Sequence, residues 1–193
     1  MKNLNELSRA AHENAVKHGW WESNPSNEHC LMLVVTEIAE MVEADRKGNS
    51  AIINHIRKQG NLAAAKKIRL IDHVDNAPDF NTAFVEMVKN TIEDEMADVV
   101  IRLLDRAGHL GMDFDKMSEM RYHWAFDRFS FTENAFALTK GLCRDNINLF
   151  KRIQFGIHFV SGWARCQGVN LEWHVRAKMR YNATRPFKHN KAY

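Results

Sequence analysis

The chain has 193 residues, 45% of them hydrophobic, and its nine glycines and three prolines favour long helices and a sizeable core over turn-rich β structure. No apolar run approaches the roughly 20 residues that span a membrane, and the N-terminus lacks the apolar core of a signal peptide. The net charge is only +3, and Cys30, Cys143 and Cys166 are widely spaced without a CxxC motif, as in the reduced cysteines of a cytoplasmic protein.

Helical periodicity dominates the chain, and no convincing alternation of apolar and polar residues appears, so the sequence predicts an all-α protein. Gly19, Gly48 and Gly111 are expected to follow the ends of three helices, and Ser26 is expected to cap the start of one. In chain order the predicted helices are 4–17, 26–47, short segments at 52–57 and 62–71, a long helix from 79 or 81 to 109, 114–126, 132–142, 146–166 and 171–182.

Two acidic pairs stand out in the predicted helices, Glu37 with Glu40 and Glu95 with Asp98. The spacing of three residues puts both carboxylates of a pair on one face of a helix. If the two helices pack together, four carboxylates converge, and they cannot all stay ionised without a compensating cation. Hard oxygen ligands favour Mg²⁺, or Mn²⁺ as a similar ion. No Glu-x-x-His motif of ferritin-like di-iron sites and no Gly-rich phosphate loop is found in the sequence.

A helical wheel places Glu37 inside the apolar arc of its helix and Glu40 at the edge of that arc. Glu95 borders the apolar arc of its own helix, and Asp98 lies outside it. A core-facing acid is costly unless it is paired or bound to metal, which favours a metal site over the alternative of a salt bridge from Glu95 or Asp98 to Arg102. Four other acids are expected to face solvent: Glu43, Asp45, Asp94 and Glu119.

The order of these motifs resembles that of the MazG-like all-α nucleoside triphosphate pyrophosphohydrolases. The likeness rests on three segments: the acids Glu37-x-x-Glu40 and Glu95-x-x-Asp98, the earlier segment His18-Gly-Trp-Trp-Glu22, and the C-terminal segment Lys178-Met-Arg-Tyr-Asn182-Ala-Thr-Arg185-Pro-Phe-Lys188-His189. Together they cover about the first 110 residues and the last 25. The resemblance implies Mg²⁺-dependent hydrolysis of a nucleoside triphosphate to the monophosphate and pyrophosphate.

The resemblance also implies roles for individual residues. Glu37, Glu40, Glu95 and Asp98 are expected to be metal ligands and catalytic residues, one of which orients the attacking water. Four C-terminal side chains are expected to hold phosphate oxygens: Lys178, Asn182, Arg185 and Lys188. Trp20 or Trp21 is expected to stack on the base, with a core role as the alternative for at least one of them. Arg102 either reaches a phosphate or pairs with Asp98 or Asp105.

Ordinary members of that family pass almost directly from the acidic helix to the C-terminal motif, whereas about 60 residues intervene in this chain. Leu110-Gly111-Met112-Asp113-Phe114 resembles Gln167-Gly168-Val169-Asn170-Leu171, which predicts an intact copy over 1–125 and a degenerate copy over 126–193, unless the likeness is chance. In this alignment Phe136, Arg152 and Phe155 replace Glu40, Glu95 and Asp98. The two copies would form a pseudo-dimer within one chain, and a homo-oligomer such as a dimer stays open.

Three functions are weighed on this basis. The first is the pyrophosphohydrolase, acting on a nucleoside triphosphate. The second is a nucleotide-binding or regulatory protein that retains the fold and the metal site with weak or no turnover. The third is nucleic-acid binding through the basic segment 176–191, which is disfavoured because its aromatic residues form no RNA-binding motif. Residues 49–80 match no motif and are assigned to a lid or an oligomer contact.

Overall fold

The structure is a computed structural model that describes residue 1 and residues 3–51, 77–117 and 124–190. Within these ranges it has seven α-helices and no β-strand, which confirms the all-α prediction. The helices are α1 (Leu4–Lys17), α2 (Asn27–Arg46), α3 (Ala77–Met87), α4 (Ile92–His109), α5 (Phe131–Leu142), α6 (Leu149–Cys166) and α7 (Leu171–Asn182). Three short 3₁₀ segments are Phe114–Lys116, Phe126–Arg128 and Phe187–Asn190. The helices predicted at 52–57 and 62–71 lie outside the described residues.

Side-chain caps fix where most of these helices begin. Ser26 accepts a hydrogen bond from the His29 N–H at 3.1 Å, as predicted. Ser130 and Glu133 form a reciprocal capping box that starts α5. Asn148 accepts from the Lys151 N–H at 2.9 Å, so α6 begins at Leu149 and not at the predicted residue 146. Each cap satisfies a backbone N–H that has no partner within the first turn of the helix.

Two predicted helices are wrong in their extent. The long helix predicted up to residue 109 is two helices, α3 and α4, because the chain turns at Asn90, whose φ of 59° is left-handed. The Thr91 side chain then caps the new helix. The helix predicted over 114–126 begins as the 3₁₀ segment Phe114–Lys116, and residues 118–123 lie outside the described part.

Helix α4 lies at the centre of the fold. It packs against α1, α2, α6 and α7, and its apolar side chains Val99, Val100, Leu103 and Leu104 are fully buried. Helices α2, α4, α5 and α6 form a four-helix arrangement, since α2 contacts α4 and α5 while α6 also contacts α4 and α5. None of the described helices is long and apolar enough to cross a membrane.

A glycine sets the distance between α1 and α4. A Cβ atom on Gly108 would lie 2.6 Å from the Ser8 backbone oxygen, so no larger residue fits there without moving a backbone. The Ser8 hydroxyl donates a hydrogen bond of 2.9 Å to the Leu104 carbonyl at the same crossing. The acidic residues of α4 are therefore held at a fixed distance from the α1 wall of the cavity described below.

Candidate functional site

The predicted acids of α2 and α4 meet at one cavity of about 250 Å³. Its walls come from α1, α2, α4 and α7, together with the turns before α4 and after α7. Nine lining residues are acids, lysines or arginines: Glu37, Glu40, Glu95, Asp98, Asp105, Lys89, Arg102, Lys178 and Arg185. The cavity thus brings acidic and basic side chains together.

Three carboxylates converge in this cavity. One oxygen each of Glu37, Glu95 and Asp98 lies within 4.8 Å of the others, with Glu37 and Glu95 buried and Asp98 half-buried. The three-residue spacing of Glu95 and Asp98 puts both on the face of α4 that packs against α2. Glu40 also lines the cavity, but it is exposed and lies outside this group. The predicted set of four acids is therefore a group of three, two of them buried and one half-buried, with the exposed Glu40 beside it.

Burial destabilises the ionised form of Glu37 and Glu95 and so raises their pKa. Burial, and then the charge of Asp98, raises the pKa of Glu95 to about 8. Burial and Asp98 also raise the pKa of Glu37, against the opposing effect of Arg102. The Glu95 Oε2 atom is buried with no hydrogen-bond partner among the described residues. A buried carboxylate oxygen with no hydrogen-bond donor, beside two other carboxylates, has the donor chemistry that suits a bound cation.

A buried ion-pair network lies next to the three carboxylates. The Lys178 ammonium on α7 is 2.7 Å from an Asp94 oxygen and 2.6 Å from an Asp98 oxygen. Burial would lower the pKa of Lys178, but Asp98 and Asp94 raise it by more than burial lowers it. Burial also raises the pKa of Asp94 to about 6, against the opposing charge of Lys178. Lys178 was expected to hold phosphate, and its ammonium is instead engaged by two carboxylates.

The expectation that Asp94 faces solvent is wrong, because this side chain has no exposed surface. One Asp94 oxygen accepts the Asn90 N–H at 2.9 Å, and the Asp94 N–H donates to the Thr91 hydroxyl. Thr91 and Asp94 stand in the Thr-x-x-Asp order of a helix start, and this spacing is the signal that could have found the role of Asp94. Of the other three acids, Glu43 is exposed as expected, Asp45 is half-buried, and Glu119 lies outside the described residues.

Two of the predicted binding residues, Arg102 and Arg185, bring positive charge to the cavity. The Arg102 Nε donates to a Glu37 oxygen at 3.0 Å, and among the described residues the ion pair of Arg102 is with Glu37, not with the predicted Asp98 or Asp105. Its guanidinium also lies 5.5 Å from the centre of the Trp20 ring. Arg185 lines the same cavity, and the buried Oδ1 of Asn182 has no hydrogen-bond partner among the described residues. Arg102 and Arg185 therefore bring positive charge to this cavity, while the unpaired Asn182 oxygen can only accept a hydrogen bond.

The two tryptophans have different surroundings. Trp20 lines the cavity, where its ring meets His189 edge to face. Trp21 stacks on His109 with ring centres 3.9 Å apart, and its indole N–H donates to Asp105 at 2.9 Å. Trp21 thus anchors the loop after α1, whereas Trp20 is the ring that faces the cavity.

Lys188 lies apart from the other predicted binding residues. Its ammonium is 3.5 Å from a Glu22 oxygen, and it lines a smaller neighbouring cleft together with Trp20 and Trp21. Sequence reasoning gave no role to several polar residues that line the acidic cavity, among them Asn14, Lys89, Asn90 and His189. Asn14 and Lys89 carry no motif, since their place depends on how distant segments pack. His189 belongs to the C-terminal segment that carries the resemblance.

The donor set suits a small hard cation. Three carboxylate oxygens lie within 4.8 Å of one another, and Mg²⁺ is usually bound by one or two carboxylates while it keeps several waters. The described residues near the group supply no thiolate or imidazole to the three-carboxylate set, which disfavours zinc.

The unpaired Glu95 oxygen predicts a pH effect on the stability of the metal-free protein. The folded chain keeps the Glu95 proton up to about pH 8, whereas the ordinary value of 4.5 applies after unfolding. The stabilisation that this proton gives is complete below pH 4.5 and is lost as the pH rises through 8. In EDTA at pH 8, we expect Glu95→Gln to raise the free energy of unfolding by roughly 1 to 3 kcal/mol, since one pKa unit corresponds to about 1.4 kcal/mol.

Urea unfolding of both proteins between pH 5 and 8.5 measures this effect. The gain from Glu95→Gln should shrink toward pH 5, and Glu43→Gln on the exposed face of α2 should change little at any pH. Parallel pH profiles for the wild type and Glu95→Gln would contradict the predicted proton.

The fold and the site together define an all-α protein with a group of three carboxylates in a cavity that cations also line. Comparisons of the chain with protein-family models, curated proteins and solved structures found no match.

Proposed function

We propose that the protein hydrolyses a nucleoside triphosphate to the monophosphate and pyrophosphate with the help of Mg²⁺. The observation that carries the proposal is the group of Glu37, Glu95 and Asp98 in one cavity with Arg102 and Arg185. Acids that hold a cation and cations that meet phosphate are the two parts that phosphoryl chemistry requires of a protein. The order of motifs that resembles the MazG-like family supports the same reaction.

The residues divide the work by position. When bound, Mg²⁺ supplies charge for the phosphate oxygens and lowers the pKa of water. Glu37, Glu95 and Asp98 would hold the ion, and Arg102, Arg185 and Asn182 would bind phosphate oxygens. Water attacks the α-phosphorus, a new O–P bond forms, and the bond to the bridging oxygen breaks so that pyrophosphate leaves. Glu40, exposed in the cavity beside the ligand group, is placed to orient the water and take its proton.

Packing within one chain supports an internal pseudo-dimer of residues 1–125 and 126–193. Helices α2 and α4 pack against α5 and α6, the corresponding helices of the two segments. The same glycine-ended turn follows α4 at Gly111 and α6 at Gly168, but it also follows α1 at Gly19 and α2 at Gly48, so the packing alone carries this proposal. The four-helix arrangement then needs no partner subunit.

One observation favours a second candidate function, a nucleotide-binding protein with weak turnover. The Lys178 ammonium already neutralises one oxygen of Asp98, a member of the carboxylate group. A site with this partial compensation could bind a nucleotide with a metal ion while hydrolysing it slowly. Saturable binding of a triphosphate in calorimetry, without pyrophosphate release over hours, would favour this function.

A pyrophosphate-release assay over a panel of canonical and modified nucleoside triphosphates tests the proposal. We expect pyrophosphate release from at least one triphosphate when Mg²⁺ is present. Release with Mn²⁺ should be the same or lower, and none should occur in EDTA. Orthophosphate should not appear before pyrophosphate, because the attack is at the α-phosphorus. Absence of pyrophosphate across the panel, with folded protein and metal present, would overturn the proposal.

A further inference from the structure

A second cavity lies between α5 and α6 and shares no lining residue with the acidic one. Its volume is about 610 Å³, which falls within the range of about 300 to 1,000 Å³ that is typical of ligand pockets. Four of its lining residues are cations: Lys140, Arg144, Lys151 and Arg152. None of the described lining residues is acidic, so the cavity has the opposite charge character to the carboxylate group.

Arg152 is the most buried of these cations. Its side chain is 13% exposed, and its nearest acid, Asp145, is fully exposed and 3.8 Å away. The Arg152 Nε is buried with no hydrogen-bond partner among the described residues. An unpaired buried guanidinium nitrogen calls for a partner, since buried polar groups are normally hydrogen-bonded. Other atoms of Arg152 line the cavity, so an anion bound there would compensate the charge of this guanidinium.

The rest of the cavity is apolar and aromatic. Trp124 and Phe155 line it, and Trp124 is held in place by a hydrogen bond of 2.8 Å to Asn134 and by stacking on Phe129. A Cβ atom on Gly141 would lie 2.1 Å from the Phe155 ring, so glycine is what admits the ring at this position. A fixed aromatic wall beside several cations suits a ligand that joins a planar group to phosphate.

The alignment of the two segments relates the residues of this cavity to those of the acidic one. Arg152 and Phe155 stand where the first segment has Glu95 and Asp98, so a pair of acids corresponds to a cation and an aromatic ring. We propose that the cavity between α5 and α6 binds a small nucleoside phosphate directly, through Arg152, Lys151 and the aromatic wall, without a metal ion. This site goes beyond the proposed reaction, because it takes the anion with cations and its described lining offers no carboxylate to hold a metal.

Calorimetric titration of ATP in EDTA at low salt tests the proposal, because the acidic group has no cation to share with a triphosphate under these conditions. We expect saturable binding with one site per chain. Lys151→Met and Arg152→Met should each weaken it by about tenfold, which corresponds to about 1.4 kcal/mol for one charge-assisted contact. Lys116→Met, which removes an exposed lysine outside the cavity, should leave the affinity within about twofold of the wild type.

Two further variants decide where ATP binds. Ala137→Phe fills the cavity without changing any charge, and it should abolish binding. Asp98→Asn in the acidic site should leave the EDTA titration unchanged. Inorganic triphosphate should bind at least fivefold more weakly than ATP, because it makes no contact with the aromatic wall.

The proposal is overturned by the absence of saturable binding in EDTA, by equal weakening in Lys116→Met and Lys151→Met, or by full affinity in Ala137→Phe. Lys151 is exposed, so its replacement should keep the melting temperature of the wild type even if Arg152→Met unfolds the domain. Failure of pyrophosphate release in the Mg²⁺ assay would not affect this result, since the two experiments address different cavities.

Discussion

Asp98→Asn and Glu37→Gln should each abolish Mg²⁺-dependent pyrophosphate release, with a loss on the order of 10³-fold. Each change removes one charged oxygen from the three-carboxylate group and leaves a side chain of the same shape. A metal ligand contributes several kcal/mol of charge stabilisation, and about 1.4 kcal/mol corresponds to a factor of ten in rate. Calorimetric titration with Mn²⁺ should show the metal affinity falling together with the rate, which links the lost activity to the metal.

Glu40→Gln tests whether Glu40 orients the attacking water or is itself a ligand of the metal ion. Because Glu40 lines the cavity outside the group of three, its replacement should lower turnover by 10²-fold or more, within the usual range of about 10² to 10⁴ for acid–base residues, with little change in Mn²⁺ affinity. Glu43→Gln, exposed on the same helix and paired with Arg46, is the matched control and should keep full activity. Full turnover in Asp98→Asn would contradict the metal-ligand assignment.

Local signals account for most of the fold. The predicted bounds 4–17 and 171–182 are those of α1 and α7, because residues that start or stop helical hydrogen bonding stand at the ends of both segments. The break between α3 and α4 was missed because Val88 and Ile92 keep the apolar period across it. Only the left-handed conformation of Asn90 and the cap at Thr91 reveal the turn. An asparagine in the sequence predicts a left-handed residue less clearly than a glycine does.

The sequence predicted which acids of the candidate site are buried, but not which residues they pair with. Wheel geometry put Glu37 and Glu95 toward the core, and both are buried. It could not find the partners of these acids, since Arg102 lies 65 residues from Glu37 and Lys178 lies 84 from Asp94. Pairs at such separations depend on how helices pack, which no local pattern encodes. For this reason Lys178 was assigned to phosphate binding, whereas its ammonium lies between Asp94 and Asp98.

This arrangement gives α7 a structural part in the acidic site. Its lysine reaches across to α4 and pairs with Asp98, a member of the three-carboxylate group, while the next turn of α7 brings Asn182 into the cavity. Residues of α7, near the C-terminal end of the described chain, thus line the same cavity as the acids of α2 and α4. Loss of the lysine should therefore damage the fold and the site together.

Lys178→Met should lower the free energy of unfolding by about 3 to 5 kcal/mol at pH 8, because it leaves Asp94 buried and unpaired. Burial already raises the pKa of Asp94 to about 6 with the lysine present, so without it the carboxyl should stay protonated to a higher pH. The unfolded chain releases that proton near the ordinary value of 3.8. The loss should therefore be small at pH 4 and grow as the pH rises.

Urea unfolding from pH 4 to 8 in EDTA measures this profile, and two variants show what causes it. Arg176→Met removes an exposed cation of α7 that is paired at the surface with Glu172, and it should cost less than about 0.5 kcal/mol at every pH. Asp94→Asn combined with Lys178→Met removes the charge that is left unpaired, so it should recover part of the stability at pH 8 and flatten the pH dependence. A loss in Lys178→Met that is equal at pH 4 and pH 8 would mean that packing of the lysine stem, and not the buried charge, holds α7 against α4.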